Sequence, residues 1–311
     1  MSRTGNQRRM AVLVAVVAVA FGAPLTGCTE ASAPGAAAPA PSGGTGPAAP
    51  GAADPRLPLD PYQLSPPQWA QVTRAYRAFV AQCMRRFRLT SPEPTAAPEA
   101  PRTLNERRYG VADAAAATVA GYRLSPRDSP PKPTTGTPDP ATLTVLTGDP
   151  KIGGTKAGTG TRPLIVNGER VPDGGCVGEA RRRLNTGAPV VADMFLAQRL
   201  AQESYGRSEQ DPRVRAVLRA WSDCMRARGF DYPTPMKAAA DQRFAGKLSA
   251  LEITTATADV ACKRQTDLVA VWSTVEAEIQ GRMLGANRPA LERIKQANAA
   301  QLRVARDHGF G

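Results

Sequence analysis

Two stretches of the chain have apolar residues spaced as on one face of a helix, and each stretch ends in a cysteine. Ser65 and Pro66 are typical of a helix N-cap and first turn, and Asp211 and Pro212 have the same place in the second stretch. The apolar positions that follow are Trp69, Val72, Tyr76, Phe79, Val80 and Cys83 in the first stretch and Val214, Val217, Leu218, Trp221 and Cys224 in the second. We therefore expect each cysteine on the inner face of a helix, near the helix end.

The same two cysteines begin an internal repeat. Both Cys83-Met84-Arg85 and Cys224-Met225-Arg226 have prolines nine and eleven residues after the cysteine. The second cysteine of each half, Cys176 or Cys262, lies in a further stretch with helical spacing. The repeat predicts two cysteine units, residues 62–207 and residues 208–311.

The rest of the pattern predicts loops, one hairpin and a pair of helices. Residues 125–163 are rich in Pro, Gly and Thr and are expected to form a long irregular loop, after which Asn167-Gly168 separates two short extended runs, as in a tight β-hairpin. One helical stripe precedes Gly285 and Pro289 and another follows them, which predicts a carboxy-terminal helical hairpin. The predicted fold class is mainly α: a disulfide-stapled helical domain with a small β-hairpin and long irregular loops.

The amino terminus has the pattern of an export signal. Three arginines, at positions 3, 8 and 9, precede an uncharged apolar run that is shorter than the roughly 20 residues needed to span a bilayer. A signal peptide over residues 1–27 is therefore favoured over a spanning helix. Leu25-Thr26-Gly27-Cys28 resembles the lipobox of bacterial lipoproteins, and the resemblance implies acylation of Cys28 and cleavage before it. Arg8-Arg9 leaves the choice between the general secretory and twin-arginine routes open.

Residues 28–61 have a composition unlike the rest of the chain. Ala, Pro and Gly dominate, and large apolar side chains are scarce. Such a segment buries too little surface to offset the entropy of ordering, so we expect the acylated Cys28 to be followed by a flexible tether. Its composition implies no chemistry.

Four cysteines remain besides Cys28, and an even number in an exported chain predicts two disulfides. Three pairings are open, and the repeat favours Cys83–Cys176 with Cys224–Cys262. No two cysteines are spaced Cys-x-x-Cys, which argues against a thioredoxin-like site and against the common zinc ribbons. We expect no metal site.

The formal net charge of +13 directs attention to anionic partners. The densest basic cluster is Arg181-Arg182-Arg183, close to Cys176, and a second cluster, Arg85, Arg86 and Arg88, follows Cys83. The first cluster is the candidate anion-binding site, with lipid head groups, anionic wall polymers or an envelope protein as partners. The alternative is a solvated helix face without a ligand. No nucleic acid is expected as a partner.

The sequence offers no catalytic constellation. Its one histidine, His308, lies in a polar tail, and nucleophile elbows, phosphate loops and His-Glu-x-x-His motifs are all missing. Glu179 and Asp223 are the only acids that we consider for glycan cleavage, and the more ordinary place in a first turn or on an exposed helix face is favoured for both, since neither has a partner acid at a telling distance in the sequence. We therefore predict no catalytic residues and no cofactor.

Three further segments complete a resemblance that begins with the lipobox and the tether. They are residues 108–113 (Arg-Tyr-Gly-Val-Ala-Asp), residues 172–180 (Pro-Asp-Gly-Gly-Cys-Val-Gly-Glu-Ala) and residues 221–230 (Trp-Ser-Asp-Cys-Met-Arg-Ala-Arg-Gly-Phe). Together they resemble the uncharacterised secreted lipoproteins of actinomycete-type bacteria, over roughly residues 62–270. The resemblance implies the location and the cysteine framework, with no active-site residue. Phe87-Arg88 departs from the Gly229-Phe230 pattern.

These features lead to one functional prediction and two alternatives. The prediction is a lipid-anchored, extracytoplasmic protein of the cell membrane that binds or scaffolds another envelope component without catalysis. The first alternative is a ligand-binding accessory of a transporter or sensor, with a pocket between the two cysteine units. The second is a wall-active hydrolase that uses Glu179 or Asp223.

Overall fold

The computed structural model describes residues 54–91, 101–124, 138–152 and 163–310, all within one compact unit. The predicted signal peptide and Cys28 lie outside these residues. The helices of the described part are α1 (Pro66–Arg86), α2 (Ala114–Ala120), α3 (Pro140–Thr147), α4 (Gly175–Leu184), α5 (Leu196–Ser208), α6 (Pro212–Ala227), α7 (Pro235–Ala239), α8 (Ala250–Gln265) and α9 (Leu268–Asp307), with 3-10 turns at Asp60–Tyr62 and Gln242–Phe244. Strands β1 (Ile165–Val166) and β2 (Glu169–Arg170) form one antiparallel hairpin.

The predicted fold class is confirmed, and so are both disulfides. Cys83–Cys176 joins α1 to α4, and Cys224–Cys262 joins α6 to α8. The expected caps are also present, since the side chain of Ser65 accepts a hydrogen bond from Gln68 N, and that of Asp211 accepts one from Arg213 N.

The hairpin turns at the predicted residues. Asn167 and Gly168 both have positive φ, 51° and 83°, as a type I′ turn requires. The side-chain amide of Asn167 donates to the carbonyl oxygen of Phe87 at 2.7 Å, which ties the turn to the end of α1. Val171, just after β2, is buried beside Cys176, so the hairpin leads the chain into α4.

Two main cores lie along the longest helix. The first core packs α5, α6 and α8 against the first part of α9, around Trp221 and Trp272. The second packs α1 and α4 against the end of α9, around the Cys83–Cys176 bridge and Ala305. Because α5 belongs to the first core and the end of α9 to the second, the cores exchange elements across residue 207, where the sequence divided the two cysteine units.

Helix α9 corrects the prediction of a carboxy-terminal helical hairpin. It runs without interruption through Pro289, because Met283, Leu291 and Ile294 all lie on its buried face and need the same register. Pro289 has no amide hydrogen to donate to the carbonyl of Gly285, but both residues are exposed, and water can solvate that carbonyl. Burial of the flanking residues therefore outweighs the local preference to break.

The folded body begins earlier than the predicted end of the tether at residue 61. Leu57 and Leu59 are buried, and Leu59 N donates to the side-chain oxygen of Gln280 at 3.0 Å. These leucines are the large apolar residues at the end of a segment that otherwise lacks them, so burial gains enough to hold this end of the chain.

The cysteine repeat extends to the way in which α1 and α6 end. Arg88 and Gly229 occupy equivalent positions and have positive φ, 57° and 85°. In both helices, the amide of the following residue makes the equivalent C-cap hydrogen bond: Leu89 N donates to Met84 O at 3.2 Å, and Phe230 N donates to Met225 O at 3.0 Å. The departure at Phe87-Arg88 therefore changes the residue types and keeps the cap geometry. The repeated Pro92 and Pro94 lie outside the described residues.

Candidate anion-binding surface

The candidate site lies on two helices that the first disulfide joins. Helix α4 starts at a tight approach between two backbones: a Cβ on Gly175 would lie 2.4 Å from the backbone nitrogen of Gly148. Only glycine fits there, at a φ of 66°. Together with Cys83–Cys176, this contact fixes the direction of α4 along α1, so the two arginine clusters are brought to one helix pair.

The three predicted anion-binding arginines do not share one role. Arg183 lies over the ring of Phe79, 4.1 Å from its centre, and donates to the Gln82 side chain at 2.7 Å. Arg182 donates to the backbone oxygen of Asp173 at 2.8 Å. Arg181 is exposed and makes no ion pair within the described residues. Two of the three guanidiniums are therefore engaged in holding the fold.

The second cluster divides in the same way. Arg86 pairs with Glu179, across the two helices. Arg85 and Arg88 are exposed, and neither side chain forms an ion pair within the described part of the chain. Arg85 belongs to the last turn of α1, where a positive charge is favourable beside the unpaired carbonyl groups.

Basic last turns recur through the molecule. They occur in α1, α4, α5, α6, α8 and α9. A positive charge there stabilises the helix by roughly 0.3–1 kcal/mol without any ligand. The alternative of a solvated helix face without a ligand thus explains most of the arginines in the predicted clusters. A binding surface has to rest on arginines that lie outside the last turns of helices.

Helix α1 carries such arginines, which the sequence reasoning missed. Arg74 and Arg77 lie in the middle of the helix, far from its last turn, and both are exposed. At 100° per residue, Arg74, Arg77 and Arg85 fall within an arc of about 80°, so they form one row. Residues 66–91 contain five arginines and no acidic residue. The spacing of three and eleven residues was the available signal.

A buried carboxylate in the first core holds the start of the motif at residues 108–113. Glu276 on α9 is fully buried and accepts hydrogen bonds from the phenol of Tyr109 at 2.7 Å and from Ser204 at 2.7 Å. It also forms an ion pair with Arg108 and accepts from the Gln280 amide at 3.0 Å. Burial, together with the carboxylate, raises the pKa of Tyr109 far above its usual range, so the phenol remains a donor.

A second buried pair fixes the neighbouring residues. Lys263 donates to Asp259 at 3.0 Å and to the carbonyl of Val111 at 2.7 Å. Burial raises the pKa of the Asp259 carboxyl and lowers that of the Lys263 ammonium group. Gly110 makes room for this contact, since a Cβ there would lie 2.7 Å from Lys263 Nζ. The motif at residues 108–113 thus fastens its segment to α8 and α9.

The residues considered for hydrolysis are engaged in ion pairs, and Arg226, which pairs with Asp223, also lies 3.6 Å from Asp231. Glu179 forms the ion pair with Arg86, and Asp223 is exposed and pairs with Arg226 at 2.7 Å. His308 is exposed at the end of α9, where its ring meets the edge of Phe79, 5.0 Å between centres. These contacts give the three residues ordinary structural roles. Within the described ranges, no group of three or more His, Cys, Asp or Glu is arranged to hold a metal ion.

A cavity of about 310 Å³ lies beside residues 102–116. Its charged lining is of both signs and largely paired internally, with Arg102 3.3 Å from Glu106 and 3.8 Å from Asp113. Arg107 also lines it and donates to the carbonyl of Arg123 at 2.9 Å. Burial lowers the pKa of Arg107.

No family profile, curated protein or solved structure matches this chain. Among the helices that the structure describes, none has the length and apolar character to cross a bilayer.

Proposed function

We propose that this chain is a lipoprotein anchored through Cys28 to the extracytoplasmic side of the cell membrane, whose folded body binds or scaffolds an envelope component without catalysis. The observation that carries the location is the pair of disulfides, one in each core. Such bridges are typical of exported proteins, because thiols are kept reduced in the cytosol. The lipobox-like segment before Cys28 supports the same location.

The binding role rests on the positive charge at the surface of α1, one of the helices that pack around the second core. In the row on α1, Arg74 and Arg77 carry positive charge that no acidic residue of the described chain neutralises and that the helix dipole does not require. Anionic lipid head groups, anionic wall polymers and an acidic face of an envelope protein are the partners that such a surface fits.

The anchor is tested by expressing the tagged protein in a bacterium that makes lipoproteins and feeding a labelled fatty acid. We expect the wild-type protein to carry the label and to be found in the membrane fraction. Cys28→Ala should carry no label and should leave the membrane fraction. Ser42→Ala is the matched control, because it changes another residue of the predicted tether and leaves the lipobox and both disulfides intact. Labelling of Cys28→Ala, or a wild-type protein without label, would contradict the proposal.

The binding role is tested by in-cell crosslinking followed by mass spectrometry of the copurified material. A reproducible protein partner would support a scaffold, and release of glycan or lipid by salt would support a basic working surface. If the crosslinked fraction of wild type equals that of a variant in which the arginines of the α1 row are replaced by glutamine, the surface has no such role.

The cavity beside residues 102–116 favours a second candidate, a ligand-binding accessory of a transporter or sensor, although its lining comes from Asp54 and residues 102–116 and not from both cysteine units, as the sequence had suggested. Arg107 lines this space and forms no ion pair within the described residues, whereas Arg102 pairs with Glu106 and Asp113. A thermal-shift screen with small anionic and zwitterionic metabolites should then find a ligand whose effect Arg107→Gln removes. An equal shift in both proteins would place the ligand elsewhere.

A further inference from the structure

The most deeply buried ion pair of the described chain joins two residues of one helix. Asp259 and Lys263 lie four residues apart on the same face of α8, and their side chains are 0% and 1% exposed. Among the lysines that the structure describes, Lys263 is the buried one. Its Nζ lies 3.0 Å from Asp259 Oδ2, so an amine and a carboxyl group are held in contact away from water.

The hydrogen-bond partners around this pair match an amide better than an ion pair. An ammonium group has three hydrogens to donate, and two acceptors lie within hydrogen-bond distance of Nζ in the described part of the chain: Asp259 Oδ2 and, at 2.7 Å, Val111 O. An amide nitrogen would keep one hydrogen for Val111 O. The amide oxygen would keep the bond that Trp221 Nε1 donates to Asp259 Oδ1 at 2.9 Å. Condensation would also remove two charges from a site that water does not reach.

We infer that Asp259 and Lys263 form an intramolecular isopeptide bond once the chain has folded, with Trp221 Nε1 as the donor that stabilises the reacting carboxyl group. The neutral amine of Lys263 attacks Cγ of the protonated Asp259 carboxyl, and negative charge develops on Oδ1, to which the indole donates. When the C=O bond re-forms at Oδ1, Oδ2 leaves as water with the carboxyl proton and one amine proton. A bond from Nζ to Cγ forms, the bond from Cγ to Oδ2 breaks, and no oxidant or other reactant is needed.

The surroundings favour the uncharged reactants. Burial raises the pKa of the Asp259 carboxyl and lowers that of the Lys263 ammonium group, so both shift towards the acid and amine forms that react. The positive charge of Arg107 lowers the pKa of Lys263 further. Tyr122 also lies near Asp259, and burial, together with that carboxylate, raises the pKa of its phenol far above the usual range, so Tyr122 adds no charge.

The position of the pair also favours formation of the bond over its hydrolysis. Because both groups are fixed on one helix, the reaction is intramolecular and needs no bimolecular encounter. The buried site excludes the water that hydrolysis requires. Val111, whose carbonyl contacts Nζ, also lines the cavity beside residues 102–116, so the released water has space next to the site.

Mass spectrometry of one tryptic peptide tests the bond directly. The full chain is purified with both disulfides formed, then reduced, alkylated and digested. We expect a peptide that starts at Leu248, continues past an uncleaved Lys263 to Arg264, and is lighter by one water. Its fragment spectrum should contain no ion from backbone cleavage between residues 259 and 263, because the new bond closes that ring.

Two tryptophan variants test the part played by the indole. Loss of one such donor slows a reaction of this kind by about 10²–10³-fold, so freshly purified W221F should retain a large fraction of free Lys263. W272F is the matched control, because Trp272 is also buried, at 1% exposed, and its Nε1 donates instead to Ser208 Oγ at 2.7 Å. It should be crosslinked like wild type. Both variants should retain the two disulfides, which confirms that they fold.

A wild-type peptide of unchanged mass that is cleaved after Lys263 would overturn the inference and leave an ordinary ion pair. So would loss of one water with cleavage after Lys263 retained, because that pattern belongs to a cyclic imide at Asp259. Equal crosslinking of W221F and W272F would overturn the role of Trp221.

Discussion

Replacing Glu276 by glutamine tests how the first core is held. The substitution keeps the shape of the side chain and removes the charge that pairs with Arg108, whose side chain is only 16% exposed. An amide offers one acceptor oxygen to donors from Arg108, Tyr109, Ser204 and Gln280. Removing one partner of a buried ion pair costs about 3–5 kcal/mol, because the remaining charge stays buried without compensation.

The free energy of unfolding is measured in urea with both disulfides intact, by the fluorescence of Trp272, whose ring lies 5.3 Å from that of Tyr109. We expect Glu276→Gln to lose about 3–5 kcal/mol. Asp223→Asn is the control: it breaks an exposed pair with Arg226 and should cost under about 1 kcal/mol.

A double variant separates the buried charge from the lost contacts. If the uncompensated guanidinium causes the loss, R108Q/E276Q should be more stable than E276Q alone, because no net charge then remains in the site. The reasoning is refuted if E276Q costs less than about 1 kcal/mol, or if the double variant loses the sum of the two single losses.

Three further predictions concern stability. Cys83–Cys176 closes a longer loop than Cys224–Cys262, with a sequence separation of 93 against 38. In denaturant unfolding, replacing both cysteines of the first bridge by alanine should lower the free energy of unfolding by about 5 kcal/mol, and doing so at the second bridge by about 4 kcal/mol. The reverse order would contradict the loop-entropy account. Gly148→Ala combines positive φ with a Cβ 2.4 Å from Gly175 N, whereas Gly187→Ala has positive φ in open space. The steric contact should therefore make the Gly148 variant about 1–3 kcal/mol less stable than the Gly187 variant, and equal losses would remove the steric argument. Arg243 and Tyr232 hold the pKa of Asp241 well below its usual value, so the folded protein binds that proton more weakly than the unfolded chain, and stability is lost as pH falls below about 3.8. Asp241→Asn should therefore lose less free energy of unfolding between pH 7 and pH 3 than wild type does. Parallel pH profiles of the two proteins would refute this.

Local signals in the sequence were sufficient for the helices with marked ends and for the hairpin. Ser65 and Asp211 have side chains that satisfy the first amides of a helix, and Asn167-Gly168 tolerates positive φ at both turn positions. The disulfide pairing was also predictable, because the repeat placed each first cysteine at the inner end of a helix. In each case the interaction that decides the structure lies within a few residues or follows from a repeated unit.

The features that sequence reasoning missed depend on distant packing. Gly285 and Pro289 would end an isolated helix, and only the burial of residues on both sides keeps α9 continuous. Glu276 lies on the buried face of α9 between Trp272 and Ile279, a position that was a signal for a buried partner. Its partner could not be named, since Arg108 is 168 residues away.

Sequence reasoning identified only part of the candidate surface, because it looked for arginines that are adjacent in the sequence. Runs such as Arg181-Arg182-Arg183 are conspicuous in a sequence, yet consecutive residues of a helix point in different directions, and two of these three contact their own fold. Arg74, Arg77 and Arg85 are scattered in the sequence and share one face in the structure. Spacing at helical periods therefore identifies a charged surface better than local density does.

A rigid helix also changes what such a surface requires of its partner. An unfolded polybasic segment loses conformational freedom when it settles on a surface, and that loss opposes binding. Helix α1 is already fixed by the Cys83–Cys176 bridge and by its packing on α4 and α9, so the row is presented without further ordering. Since the backbone cannot adjust, binding through this row should depend on charge spaced along a line or a plane, which an extended anionic surface provides and a single small anion does not.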